Sequence, residues 1–391
     1  MRRFTASLAG VSLAIGLGAG AVKAADDEVV VGAALAFSGF IAPYDDAPYK
    51  GALIAIDDIN AKGGILGKQI KVVTADTKSD PAQGANAAVQ VLEQGAELVL
   101  VTCDFDFGSP AAITAQAQGK LSFALCAADP KFGVQGIGDL AFTMGIGTPG
   151  EGATMAEWAS KAKGWTKAFI LKDTQVEYTK SVADYFKKRW LDGLGEVVGE
   201  DTFNGQTDTQ VPGQISRIKE AKDAEFIIMT GGPGGPPVIR QIRAAGIDLP
   251  ILLPNSLDGN YWIEAVPDLS NTYVFSVGSI YGDDPDKAVQ AVMDKFAAKY
   301  GGPPVTAYAL SGYALIEAWS RAVERAGTFD SAKVADELEK FKDEPLIVGP
   351  TNFSEEWHIT FDRPMLVIEV QGGKHKALER TRVEKVPEVT F

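Results

Sequence analysis

The chain has only two cysteines and two histidines in 391 residues. That scarcity excludes a His/Cys zinc centre of the usual kind and a disulfide-dense scaffold. A basic excess is also missing: 37 Lys and Arg stand against 51 Asp and Glu, a net charge of −14. Nucleic-acid binding draws on a basic patch or stripe, so no nucleic-acid partner is expected. Beyond the amino terminus, no stretch approaches the roughly 18 uncharged apolar residues of a spanning helix. What is present is the composition of a globular protein, 46% hydrophobic and 23% charged, which rules out a disordered or collagen-like chain. No metal or cofactor is expected; a carboxylate-only metal site is the one kind that counting leaves open.

Residues Met1–Ala24 read as a secretory signal. Arg2 and Arg3 form its basic start, Ala6 to Val22 is small, apolar and uncharged, and Val22-Lys23-Ala24 offers a cleavage site. The run is short and Gly-rich for a membrane anchor, and no Cys lies nearby to carry a lipid. Cleavage after Ala24 and a bacterial periplasmic location are the expectation.

The mature sequence alternates strand-like and helix-like segments. Glu28–Leu35, Lys68–Asp76, Leu98–Cys103 and Ser122–Cys126 read as strands. Ala47–Lys62, Pro81–Gln94 and Pro110–Gln118 read as the helices between them. This rhythm implies a parallel sheet with helices on both faces. A second series of the same kind begins after Gly145, running from a helix at Gly152–Lys163 to a strand at Pro250–Leu253. Long amphipathic helices follow at Asp286–Tyr300 and Ala307–Ala326. The end, Ile359–Phe361, Met365–Gln371 and Lys376–Arg382, reads as a β meander. If the late helices return to the first unit, Gly-rich crossings at Gly145–Gly150, Val277–Ser279 and Gly349-Pro350 would join two lobes as a hinge.

Several motifs need weighing. Gly145-Ile146-Gly147-Thr148-Pro149-Gly150 matches GxGxxG, and Asp173 ends the next strand at a plausible offset for a ribose ligand. Pro149 inside the turn, its place between the two units and the exported setting favour a hinge over a dinucleotide site. Gly231–Pro237 joins a strand to a helix but lacks the Lys-Ser/Thr of a P-loop, and its prolines remove backbone donors. His358 and His375 lie far from any serine elbow, so no nucleophile–base pair is apparent. Asp45-Asp46 and Asp283-Asp284 read as solvated turn residues. Asp104-Phe105-Asp106-Phe107-Gly108 follows a strand, where two acids and two aromatics would line a pocket for a polar or cationic ligand; a surface loop with tucked phenylalanines is the other reading. Cys103 and Cys126 each end a strand. If those strands are neighbours, the Cα atoms fall within disulfide range of about 4.4–6.8 Å, and two buried thiols are the rival.

Together these features resemble the type I periplasmic solute-binding proteins of ABC importers, and among them the branched-chain amino-acid (Leu/Ile/Val)-binding group. The resemblance rests on Ser38-Gly39-Phe40-Ile41-Ala42-Pro43-Tyr44, Gly51-Ala52, Ile56-Asp57-Asp58-Ile59-Asn60, Gly63-Gly64-Ile65-Leu66-Gly67-Lys68 and Asp76-Thr77-Lys78-Ser79-Asp80-Pro81. It implies an α/β fold of two Rossmann-like lobes joined by a three-crossing hinge. Lobe 1 would span 25–144 plus 281–348, and lobe 2 145–280 plus 349–391. A small molecule would bind between the lobes. Tyr44 would form an aromatic wall, and Asp104, Phe105 and Asp106 with Cys126, Ala127 and Ala128 would add contacts from the first lobe. Tyr178, Gly232, Pro233, Gly234, Asn255 and Asp258 would complete the second. Amino-acid binders of this kind place Ser or Thr hydroxyls and backbone N–H groups around the ligand carboxylate. Here Asp104 stands where a small hydroxyl residue is expected, Ala128 where Thr is usual, and Pro233 or Gly234 in place of an aromatic. A polyol, an amide or a cationic compound would suit the two acids better.

The resemblance implies a monomeric receptor that is no enzyme, delivering a small solute to an inner-membrane permease and its ATPase. The alternatives are a sensory component docking on a membrane receptor and, lower, an exported hydrolase using Asp104, Asp106 or Asp173.

Overall fold

The computed structural model describes residues 27–390, so the signal-like segment lies outside the described residues. The first sheet holds β1 (Glu28–Leu35), β2 (Gln69–Asp76), β3 (Ala96–Val101), β4 (Leu121–Ala124) and β5 (Ala141–Thr143). All pair in parallel, in the order β2-β1-β3-β4-β5. Helices α1 (Ala42–Asn60), α2 (Pro81–Glu93) and α3 (Phe105–Ala117) connect these strands. Every residue of β4 is buried, as expected for a strand covered on both faces.

The second lobe repeats the plan. It holds α4 (Thr148–Lys163), β6 (Lys167–Asp173), α5 (Glu177–Leu191), β7 (Glu196–Phe203) and α6 (Pro212–Glu220). Then come β8 (Phe226–Met229), α7 (Gly235–Ala244), β9 (Ile251–Leu253) and β10 (Thr272–Ser276). The chain next returns to the first lobe as α8 (Lys287–Tyr300), α9 (Tyr308–Ala326) and α10 (Ser331–Leu338), where α9 packs along α1. A hairpin, β11 (Glu344–Leu346) and β12 (Gly349–Thr351), precedes the last passage. Finally β13 (Met365–Gln371), antiparallel to β10, and β14 (Lys374–Thr381), antiparallel to β13, extend the second sheet. That sheet runs β14-β13-β10-β9-β8-β6-β7. In both sheets the order reverses beside the first strand of the lobe, at β1/β3 and at β6/β8, and open α/β sheets bind ligands at such points.

The GxGxxG segment is the first passage between lobes. Ile146 pairs in parallel with Thr360 of the last passage. Thr143 N–H donates to the His358 carbonyl (3.1 Å) and Gly147 N–H to the Thr360 carbonyl (2.9 Å). A Cβ at Gly147 would strike the Phe361 ring, and one at Gly150 the Phe361 carbonyl. The glycines therefore make room for a second strand of chain, not for a phosphate. Arg363, fully buried, donates from Nη1 to the Met144 carbonyl at 2.9 Å and ties the two passages again.

The structure departs from the sequence expectations in local ways. Gly349-Pro350 lies in the β11–β12 hairpin and is not a crossing. Phe353 packs among Phe123, Phe142 and Phe341, and His358 stacks on Phe142, which keeps this stretch on the first lobe. The last passage is displaced to Ile359–Pro364. Ile359–Phe361 forms that single bridge and no meander strand. Helices α1 and α3 begin at Ala42 and Phe105, five residues earlier than expected in each case, and carry Pro48 and Pro110 inside.

Candidate functional site

A narrow cleft lies between the lobes at the carboxyl ends of both sheets. Its first wall grows out of β1, β3 and β4. Phe40, Ile41 and Tyr44 come from the start of α1, Cys103 and Asp104 follow β3, and Cys126 and Ala128 follow β4. Asp45, expected as a solvated turn residue, is buried and braces this wall. Its Oδ2 accepts from Ala36 N–H and its Oδ1 from Cys103 N–H, both at 2.8 Å. It thus ties the ends of β1 and β3. Burial pushes its carboxyl up to about 7 despite those donors. Cys103 and Cys126 are joined by a disulfide, with Cα atoms 4.5 Å apart, across the neighbouring β3 and β4. Asp104 is the N-cap of α3: it is extended (φ −155°, ψ 145°), and its Oδ1 accepts from Asp106 N–H at 2.9 Å. Burial, with the charge of Asp106 second, pushes the Asp104 carboxyl up to about 8.

The second wall grows out of β6, β8 and β9. Gln175, Val176, Tyr178 and Thr179 come from the turn after β6 and the start of α5; Gly232 and Pro233 follow β8, and Ser256 follows β9. Behind them stands Glu151 on α4. Its Oε1 accepts from Tyr178 OH (3.0 Å) and Asn255 N–H (2.8 Å). Asp258 Oδ2 accepts from Ser276 Oγ (2.8 Å) and, from the first lobe, Ala307 N–H (3.1 Å). Burial pushes both carboxyls up to about 7. It also holds the Tyr44, Tyr178 and Tyr308 hydroxyls well above their usual range, so these stay neutral.

The two walls are in contact. Tyr44 OH donates to the Ser256 carbonyl at 3.2 Å and meets Tyr261 OH at 3.2 Å. Asp106 Oδ2 accepts from Glu177 N–H, the first amide of α5, at 3.0 Å. Lys131 reaches Glu177 across the same gap at 3.5 Å. The cleft is therefore shut.

Of the residues named from sequence, Tyr44, Cys103, Asp104, Cys126, Ala128, Tyr178, Gly232 and Pro233 line the cleft. The others do not. The Phe105 ring turns to Phe132 and lies under Lys131. Asp106 bridges the lobes instead of lining the space. The Ala127 carbonyl is taken by Thr143 Oγ1. At Gly234 a Cβ would strike the Gly205 carbonyl, so that glycine serves loop packing. Asn255 and Asp258 stand behind the wall, on Glu151 and on Ser276 and Ala307. Asp284, also expected at a solvated turn, is buried and accepts from Ser279 N–H (2.8 Å). Ser256 falls inside the 255–258 segment expected at the second wall, whereas sequence reasoning missed Phe40, Ile41, Gln175, Val176, Thr179, Tyr308 and the supporting Glu151 as site residues. The turn after β6 had a usable signal, a strand end followed by a helix start; Glu151 and Tyr308, in the first turns of helices that follow no strand end of their sheet, had none. Both histidines are structural: His375 stacks on Tyr281, and burial pushes its imidazole down to about 4.

Known proteins give this geometry its context. A Leu/Ile/Val-binding protein of Rhizobium johnstonii is 27% identical, over 90% of this chain and 94% of its own. A leucine-, isoleucine-, valine-, threonine- and alanine-binding protein of Pseudomonas aeruginosa is 29% identical over 80% and 83%. The branched-chain amino acid transporter substrate binding protein of Streptococcus pneumoniae, solved in complex with isoleucine, superposes with a TM-score of 0.80 at 26% identity, covering 91% of this chain and 99% of that one. Residues 28–374 match the periplasmic binding protein family, and with two α/β lobes closed over a lined cleft the chain belongs to that family.

Proposed function

We propose that this protein is the receptor of an ABC importer: it captures a branched-chain amino acid or a related small solute between its lobes and hands it to an inner-membrane permease with its ATPase. The observation that carries this reading is the shut cleft at the carboxyl ends of both sheets, walled by Tyr44, Tyr178 and Tyr308 and closed by hydrogen bonds between lobes. The aromatic and aliphatic lining suits an apolar side chain, and the buried carboxylates around it suit an ammonium group. What the relatives are named for binding supports the same class of ligand. No nucleophile stands beside a general base in the cleft, which favours capture over turnover. The protein works as a monomer in the periplasm after cleavage following Ala24.

Ligand that binds only the shut form shifts the lobes toward it and raises the melting temperature by linkage. Thermal unfolding with a panel of aliphatic amino acids, their amides and their amines tests the reading, with small-angle scattering to follow closure. Saturable stabilisation and a more compact particle are expected. A flat response across the panel sinks it.

A further inference from the structure

Two of the helices that begin at the cleft, α3 and α5, are already supplied with a carboxylate by the protein itself. Asp104 Oδ1 takes the Asp106 N–H of α3 at 2.9 Å. Asp106 Oδ2 takes the Glu177 N–H of α5 at 3.0 Å, from the opposite lobe. A helix amino terminus is an anion site because its first N–H groups lack partners. At α3 the cap is filled by Asp104, and at α5 the first amide is taken by Asp106.

Several other donors of the cleft are also committed. Tyr44 OH donates to the Ser256 carbonyl, Tyr178 OH to Glu151, Thr179 Oγ1 to the Val176 carbonyl and Ser256 Oγ to the Gly231 carbonyl. Pro233 has no N–H to give. No Lys, Arg or His is among the residues that line the space. Asp104, 5% exposed, lines it directly. The Gln175 amide and the Tyr308 hydroxyl are left as neutral donors, so the wall carries a buried carboxylate with no cation to balance it.

We infer that Asp104 is a specificity-determining residue, which makes this cleft select solutes that bear an ammonium or amide N–H and no free carboxylate. The inference rests on the proposed receptor role and narrows the ligand within it, from a branched-chain amino acid to its carboxylate-free relatives, the amide or the amine. A ligand ammonium beside Asp104 favours the charged form of that side chain. A ligand carboxylate would meet a like charge, or would force Asp104 to hold a proton, and would still lack N–H partners at α3.

Calorimetric titration with four probes that share an isobutyl group tests this: leucine, leucinamide, 3-methylbutylamine and 3-methylbutanoate. With the wild-type protein, leucinamide and 3-methylbutylamine should each bind at least tenfold more tightly than leucine, and 3-methylbutanoate most weakly. Asp104→Ala removes the charge and frees the Asp106 N–H, so leucine should gain at least tenfold relative to leucinamide. Asp104→Asn, which still accepts from that N–H, should fall between. The melting temperature of each unliganded variant reports its folding. If wild-type protein binds leucine as tightly as leucinamide or more so, the inference falls while the receptor reading stands. If a folded Asp104→Ala variant leaves the ratio unmoved, Asp104 does not set it and the inference falls. If none of the four binds, the ligand class itself is wrong and both fall.

Discussion

The two walls of the cleft are held in different ways. The first-lobe wall is fastened within its own lobe: Asp45 ties β1 to β3, the disulfide ties β3 to β4, and Asp104 caps α3. The second-lobe wall is fastened less completely. Helix α5 has Val176 at its N-cap, with no side-chain cap of its own, and receives Asp106 from across the cleft. Its Gly232 and Pro233 contribute little side chain. The contrast teaches a division of labour: one wall is formed before the lobes meet, and the other is completed by their meeting.

This comparison can be broken at its strongest point first. Replacing Cys103 and Cys126 together by Ala should cost the unliganded protein roughly 3 kcal/mol of stability by the loop-closure relation, read by chemical unfolding. A change near zero would mean that the first wall does not depend on the bridge. The second test uses pH. Asp45 is raised to about 7 by burial, so the folded state holds a proton that the unfolded state has released between about pH 4 and 7. Its contribution is therefore greatest at acid pH and is lost as pH rises through about 7. The melting temperature should fall between pH 5 and pH 8, with Asp104, Glu151 and Asp258 acting in the same direction, and Asp45→Asn should remove Asp45's share, the equivalent of roughly 2 kcal/mol. A profile that rises over this window, or that Asn leaves unchanged, contradicts the assignment.

On the second wall, Tyr178→Phe removes a donor from Glu151 and should weaken ligand binding by about 1–1.5 kcal/mol, near tenfold, with a smaller loss of stability. The smallest effect is expected at the junction. Asp106→Asn keeps an acceptor but loses the charge at the α5 amino terminus, and should reduce closure by about 0.5 kcal/mol. Scattering or a distance probe across the cleft reads that change, and the unfolding midpoint should stay put. If the midpoint moved as much as closure, Asp106 would belong to the first wall alone.

The α/β alternation was legible in the sequence because short apolar strands and amphipathic helices have different periods. Apart from β5 (Ala141–Thr143), which the pattern did not single out, the strands of both sheets fall close to where it places them, down to the wholly buried β8 (Phe-Ile-Ile-Met). Helix starts were less legible. Pro110 resembles a first-turn proline, yet Asp104 caps the helix six residues earlier, so a supposed loop is its first turn. Adjacent acids were unreadable: Asp45 and Asp46 look alike in sequence, and only the first meets two backbone N–H groups. The cleft residues that follow strands could be located, since strand ends mark the sheet edge. Glu151 and Tyr308 could not, because their importance arises from elements distant in the chain.

The first and last passages between the lobes are hydrogen-bonded side by side, from Thr143 with His358 to Gly147 with Thr360. Two chains so joined behave as a leaf spring. Such a strip flexes across its face with little resistance, while shearing one chain past the other would break its rungs. Opening should then follow a single arc, and each return would bring Asp106 back to the same amide of α5. The amides of Thr143 and Gly147 should accordingly exchange slowly with solvent even in the open form, although they sit where the molecule bends.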